Sequence, residues 1–246
     1  WHAPGGAGHW EEVGTGDDWT NYARPKEDFQ KYLDTVVKPN LTELLTTYGP
    51  IGLIWFDVPV TMSREQSIEL RDFVHRLQPA CLVSGRVGHN AGDYGSLGDN
   101  VHPVGRLTGA WETPATLNNT WGFKKDDHHW KSLDQVLTLL VNGASKGVNY
   151  LLNVGPTAEG VIPQPSVDVL KQVGAWLRRN GEAIYGTQAS PFFQDPSWGR
   201  VTMKGTTLYL LIQPRPPGDL TLYGLQNRVR SIRVLGAPDA RIAFHQ

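Results

Sequence analysis

The 246-residue sequence holds a single cysteine, Cys81. That excludes an internal disulfide and any metal site built on several thiolates. Cys81 lies in an apolar run, where a small buried thiol is the expected role rather than a nucleophile. Long apolar runs are missing too: no segment approaches the length of a membrane-crossing helix, and the opening WHAPGGAGHW lacks the regions of a signal peptide. The chain opens without Met, on a stretch that reads as the middle of something, so no compartment is assigned. Basic runs are absent and the formal net charge is −1, so neither nucleic acid nor a membrane is expected as a partner. No glycine-rich phosphate loop of the usual spacing and no G-x-S-x-G elbow occurs. His128 and His129 are adjacent, point in different directions and do not match zinc spacing.

What is present is aromatic. Nine tryptophans and eight tyrosines are a heavy load, and aromatic faces stack on the C–H surfaces of sugars or fill large pockets, although most serve cores. Tyr48 to Pro59 reads YGPIGLIWFDVP: a Gly-Pro turn, an apolar run, then the carboxylate of Asp57. This is the pattern of a buried parallel strand that delivers one charged group to the rim of a sheet. Carboxyl ends of parallel strands hold the chemistry in α/β folds, so Asp57 is either a catalytic acid or a strand-ending cap.

Taken in order, residues 1 to 24 read as a long loop rich in Gly, Trp and His. Pro25 then starts a helix carrying Phe29, Tyr32, Leu33, Val36, Val37, Leu41, Leu44 and Leu45 at helical spacing, which Pro39 should kink or split. Ser63 is the expected N-cap of a helix ending before Pro79. Cys81 to Arg86 reads as a second buried strand ending on a charge, and Thr108 to Glu112 as a third short strand ending on an acid. Ser132 caps a further helix, Val148 to Val154 is a fourth strand, and Pro163 and Pro165 open a last helix that stops near Asn180-Gly181. Strand alternating with helix predicts an α/β fold with a parallel sheet or barrel segment. From about Thr187 the period changes, and Arg200 to Met203, Thr207 to Gln213, Asp219 to Tyr223 and Val229 to Val234 read as strands of a small antiparallel β domain.

Three strand ends therefore carry Asp57, Arg86 and Glu112, and the loop GDYGSLGDN adds Asp93 and Asp99. Paired carboxylates are the minimum equipment of glycoside hydrolysis, one attacking or stabilising the anomeric carbon while the other donates a proton to the departing oxygen. Trp55 and Trp111 precede the two strand-end acids, placed either to wall a pocket or to pack beneath it.

YGPIGLIWFD, SGR, GDYGSLGDN, GAWETPATLNNTWGF and GVNYLLNVGPTAEGVIPQPSVDVLKQVGAWLRRNGEAIYGT, in collinear order through residues 20 to 190, resemble the α-L-fucosidases of glycoside hydrolase family 29. The resemblance implies a retaining, exo-acting enzyme that removes terminal α-L-fucose from a fucosylated glycan or fucoside through a covalent glycosyl-enzyme intermediate, without metal or organic cofactor. It implies Asp57 as nucleophile, Glu112 of the WET segment as first choice of acid/base and Asp99 of the GDN segment as second. Arg86 and Trp55 match substrate-contacting positions, and Trp111 and His2 are further candidates for substrate binding. WHAP resembles the stretch just after the family's third barrel strand, and no His-His segment of the kind that binds the fucose hydroxyls precedes it. A chain shortened at both ends is therefore expected: a partial (β/α)8-like (TIM-type) barrel over residues 1–187, followed by a small antiparallel, sandwich-like β domain over 188–246. Open barrel edges predict a homo-oligomer that covers them. The alternative is a catalytically impaired chain that at most binds fucosylated glycans.

Overall fold

The computed structural model describes residues 29–59, 62–213, 217–237, 239–240 and 242–245. His2 and the rest of the aromatic opening segment lie outside the described residues. Contacts divide the chain into two compact units, Trp1–Ser96 and Leu97–Gln246.

In the first unit, α1 (Phe29–Tyr32) runs through a π-turn (Leu33–Val37) into α2 (Lys38–Thr47). Pro39 is expected to kink or split the helix; the chain instead stays helical through a widened turn just before it. Proline has no N–H for the i→i−4 ladder and its ring crowds the carbonyl four residues back. The ladder widens one residue earlier, with the Lys38 N–H bonded to the Leu33 carbonyl. Leu33, Val37, Leu41 and Leu45 form the buried stripe. Strands β1 (Leu53–Ile54) and β2 (Leu82–Val83) pair in parallel, with Leu53 opposite Leu82 and Ile54 opposite Val83. Between them α3 (Arg64–Leu77) begins on the expected Ser63 cap: the Ser63 hydroxyl accepts from the Gln66 N–H and the Gln66 side chain from the Ser63 N–H. Gln78 ties this end of the unit together, accepting from the Ile51 N–H and donating to the Leu45 and Gly49 carbonyls.

The two strands are shorter than the apolar runs suggest and are not buried on both faces. Val83 and Cys81 join the core with Leu41, Leu70 and Val74, whereas Leu53 and Leu82 are 40% and 48% exposed. Strand β3 (Gly95–Ser96) follows, and the residue before it, Tyr94, is bridged in parallel to Ser84.

In the second unit, β4 (Trp111–Thr116) and β5 (Val148–Asn153) pair in parallel over six residues each, from Trp111 opposite Val148 to Thr116 opposite Asn153. The connecting helix α4 (Leu133–Lys146) opens on a second capping box, Ser132 with Gln135, and closes on Gly147 in the left-handed region at φ 78°. α5 (Gln164–Asn180) follows, and Leu117, Val136, Leu137 and Val173 form the core between helices and sheet. β6 (Gly199–Lys204) and β7 (Thr207–Ile212) make an antiparallel hairpin. It is tied to α4 by the buried Lys146 ammonium, 2.6 and 2.7 Å from the two Asp195 oxygens, and by Arg200 Nε, 3.0 Å from Asn142 Oδ1.

Two expectations are corrected. The third strand does not end on Glu112; it begins at Trp111 and runs to Thr116. Gly109 sits at φ 89°, which breaks the extended chain upstream, while the run through Thr113 and Thr116 continues it. After β7, Asp219 to Tyr223 and Val229 to Val234 form no strands. Among the described residues that stretch holds only the bridge between Val234 and Ala237. Gly218, Gly224 and Gly236 all turn the chain at positive φ there, and most of its side chains are exposed.

Ser84 ties the end of β2 to the segment that follows β1. It is fully buried, its hydroxyl accepts the Phe56 N–H at 3.0 Å, and its own N–H reaches the Ile54 carbonyl at 3.1 Å. Replacing Ser84 by Ala leaves the Phe56 N–H unpaired in the core, a loss of about 1–3 kcal/mol. Urea unfolding of Ser84→Ala should show this as a lowered midpoint with an unchanged slope.

Candidate active site

Asp57 lies just beyond the carboxyl end of β1, where Val58 turns the chain at φ 55°. A β-branched residue in that region is strained, at a cost on the order of 1–3 kcal/mol, and Pro59 behind it restricts the backbone further. Arg86 occupies a 3-10 turn (Gly85–Val87) just after β2, and its Nη1 lies 3.1 Å from Asp57 Oδ1. Both side chains are four-fifths buried or more. The guanidinium also stacks over the Trp55 ring, 5.0 Å from its centroid, and donates from Nε to the Ser96 hydroxyl at 3.2 Å. Arg86 is thus clamped on three sides, and it aims the Asp57 carboxylate.

The SGR and GDYG motifs explain one another. Cβ atoms added at Gly85 and Gly92 would meet the Tyr94 carbonyl at 2.6 Å and the Ser84 carbonyl at 2.5 Å, so only glycine lets the two segments touch. Asp93 is spent on this joint. Its Oδ2 accepts the Val83 N–H at 2.7 Å and lies 2.9 Å from His75 Nε2, which makes it a structural acid.

In the second unit, the direction of β4 separates the other two acids. Glu112 is the second residue of the strand, at its amino end, and is 7% exposed. Its register partner is Asn149, whose Nδ2 donates to the Trp111 carbonyl at 3.1 Å. The Trp111 indole donates to the Thr108 carbonyl at 2.9 Å. Asp99 is exposed and rides on a segment laid along β4 toward its carboxyl end. The Leu97 N–H reaches the Glu112 carbonyl, the Asn100 N–H the Pro114 carbonyl, and the Thr116 N–H the Asn100 carboxamide, each at 2.9 Å. Asn100 itself sits at φ 55°, a left-handed turn that asparagine tolerates.

Among the described residues no cluster of three His, Cys, Asp or Glu side chains could hold a metal ion, and no helix is long and apolar enough to cross a membrane. A family model described as Alpha-L-fucosidase matches residues 9–182, more than half of the chain. The chain belongs to the α-L-fucosidase family. It is 30% identical over 169 residues to an α-L-fucosidase of Dictyostelium discoideum, covering 64% of this chain and 36% of the relative. It is also 30% identical over 200 residues to tissue α-L-fucosidase of Homo sapiens, covering 74% and 42%. Among solved structures, α-L-fucosidase isoenzyme 1 from Paenibacillus thiaminolyticus superposes with a TM-score of 0.80 at 38% identity, over 90% of this chain and 56% of that one. The α-L-fucosidase AlfC from Lactobacillus casei, in complex with its α-L-fucose product, gives 0.57 at 35% identity over 64% and 48%. This chain therefore spans less than half the length of those two curated relatives.

Sequence reasoning about this fucosidase-family chain singles out Asp57, Arg86 and Trp55, and the structure brings these three together. It overlooks Ser96 and Asn100, although both lie inside GDYGSLGDN and the small polar residues of a glycine-rich segment are the available signal.

One titratable group of the second unit sits in apolar surroundings. His102 lies 6.2 Å from the Tyr150 ring centroid, and neither its Nδ1 nor the Tyr150 hydroxyl has a hydrogen-bond partner among the described residues. Burial, and then the Lys131 charge, hold the imidazole pKa below 6.5, while burial pushes the Tyr150 phenol up to about 12. As pH falls through 6.5, the unfolded chain takes up a proton that the folded one refuses. His102 therefore makes the fold lose stability on acidification, from the unfolded value down to its own depressed one. His102→Gln should flatten the unfolding midpoint between about pH 7 and pH 5 in urea titrations.

Proposed function

We propose that this chain carries the catalytic machinery of a retaining, exo-acting α-L-fucosidase, with a terminal α-L-fucoside or fucosylated glycan as substrate and no cofactor. The observation that carries this reading is the clamped Asp57 carboxylate at the end of β1, held by Arg86 and Trp55 in a chain of the fucosidase family. Asp57 attacks the anomeric carbon as the bond to the leaving oxygen breaks, and an acid donates a proton to that oxygen. Water, deprotonated by the same group, then displaces Asp57 and releases fucose with its configuration retained. Arg86 and Trp55 contact the sugar, with Trp111 and His2 as further contacts.

For the acid/base, strand direction supports Asp99 ahead of Glu112. A general acid must reach the leaving group and exchange protons with water. Asp99 is exposed and lies toward the carboxyl end of β4, the end at which parallel α/β folds do their chemistry, whereas Glu112 is buried at the amino end.

The finer architecture is read in the same way: a partial (β/α)8-like barrel over 1–187 and a β domain over 188–246. Exposed Leu53 and Leu82 on the first pair of strands, and exposed Leu151 on β5, support an incomplete barrel whose sheet faces a homo-oligomer would cover.

Hydrolysis of fucosides by purified variants tests the assignment. Asp57→Ala should lose roughly 10³-fold or more in kcat. Asp99→Ala should damage substrates with poor leaving groups far more than activated aryl fucosides, and Glu112→Ala should leave that dependence unchanged. Equal rates in all variants and wild type discard the catalytic reading. Binding of a fucosylated glycan without turnover by wild type supports the impaired binder instead.

A further inference from the structure

The loop between β4 and α4, from Leu117 to Lys131, presents two exposed aromatic rings, Trp121 and Phe123, at 39% and 49% exposure. Loops of this length that carry exposed aromatics are ordinarily mobile, because nothing offsets the entropy of ordering them. Three attachments work against that here. The side chain of Asp127, itself a residue of the loop, is only 3% exposed. Its Oδ2 accepts the Asn119 N–H at 2.8 Å and the Thr120 hydroxyl at 3.1 Å, and its Oδ1 accepts the His129 N–H at 3.1 Å. From β5, Asn153 Nδ2 donates to the Trp121 carbonyl at 2.7 Å. Just beyond β5, a Cβ added at Gly155 would lie 2.8 Å from both Gly122 C and Phe123 N, so the loop backbone rests directly on a residue that has no side chain. Gly155 is not at positive φ, so its smallness serves that approach rather than backbone freedom.

All three attachments grip the backbone or the ends of one segment, and they place it at the carboxyl ends of β4 and β5. A buried carboxylate gathering three donors from residues within eight positions of itself is a local clamp, and Asp127 is not a member of the core of Leu117, Val136, Leu137 and Val173. We propose that Asp127, Asn153 and Gly155 are positioning residues, which hold Trp121 and Phe123 as a preorganised sugar-contacting platform. This rests on the fucosidase reading for the identity of the sugar. Preorganised aromatic contacts bind without an ordering cost, and displacement of such a contact by about 1 Å can cost up to 10²-fold.

Gly155→Ala is the cleanest probe, since the three atoms nearest the added methyl all belong to the loop backbone. Asn153→Leu removes the Trp121 anchor, and the pair Asp127→Ala and Asp127→Asn compares full loss of the acceptors with retention of one of them. Expected for Gly155→Ala and Asn153→Leu are near-wild-type melting temperatures, faster amide exchange confined to residues 118–129, and KM for an aryl α-L-fucoside raised about tenfold with a smaller change in kcat. Asp127→Asn should recover part of what Asp127→Ala loses. Unchanged KM in variants whose loop exchanges faster would overturn the proposal. A readout independent of turnover keeps the two readings apart: millimolar L-fucose should slow exchange across Trp121 to Phe123 in wild type and not in Gly155→Ala. If wild type hydrolyses no fucoside yet shows this protection, the catalytic reading fails and the platform stands. If it hydrolyses fucoside and L-fucose protects nothing in the loop, the platform fails and the catalytic reading stands.

Discussion

The contact between Arg86 and Asp57 is what the first unit is built to hold. An arginine side chain has several rotatable bonds, and a single carboxylate contact does not immobilise it even where both side chains are largely buried. Its three partners do: Asp57 at one nitrogen, the Ser96 hydroxyl at another and the Trp55 face below. Each of those depends in turn on backbone placement. Ser84 sets the level of β2 against Phe56, and the glycines of SGR and GDYG let the Ser96 segment come close enough to be reached. Asp93 locks that approach by accepting the Val83 N–H. Four acids and bases that look alike in the sequence thus divide by what they touch: Asp57 meets Arg86 at a strand end, while Asp93 joins His75 and the Val83 N–H in the joint between two segments.

Strand polarity imposes a second division. Glu112 and Asp99 are thirteen positions apart in the chain and are held to the same strand, but at different levels. The hydrogen bonds that carry the 97–100 segment along β4 move Asp99 toward the carboxyl end, while Glu112 stays near the first residue of the strand. Burial separates them further, because a carboxyl group at 7% exposure has little access to the solvent with which an acid/base must exchange protons. The different levels of the two acids follow from where the strand starts, just after the left-handed turn at Gly109.

Elsewhere the second unit depends on charges spent internally. The Asp127 carboxyl is pushed up by burial, yet the donors of His129, Asn119 and Thr120 outweigh that and hold it below the usual carboxylate range. Lys146 and Asp195 join α4 to the segment before the β6–β7 hairpin. These groups look like surface charges in the sequence, because a lone Asp or Lys carries no mark of the donors or acceptors that will surround it.

Sequence alone suffices for the local order of the chain. Capping residues Ser63 and Ser132, an irregularity of the helix at Pro39, the alternation of strands and helices and the strand-end placement of Asp57 all follow from interactions within a few residues of one another. The collinear motifs likewise suffice for the family. Tertiary structure alone decides the rest. It shows that the segment expected to end a strand at Glu112 instead leads into one that runs on to Thr116, that Asp93 is an anchor, and that Asp219 to Tyr223 and Val229 to Val234 do not form strands. It also shows that the loop carrying Trp121 and Phe123 is gathered by the buried Asp127 carboxylate and anchored by Asn153. The physical reason is the same in each case: register, burial and hydrogen-bond partners come from residues distant in the chain, and no local pattern encodes which distant group will arrive.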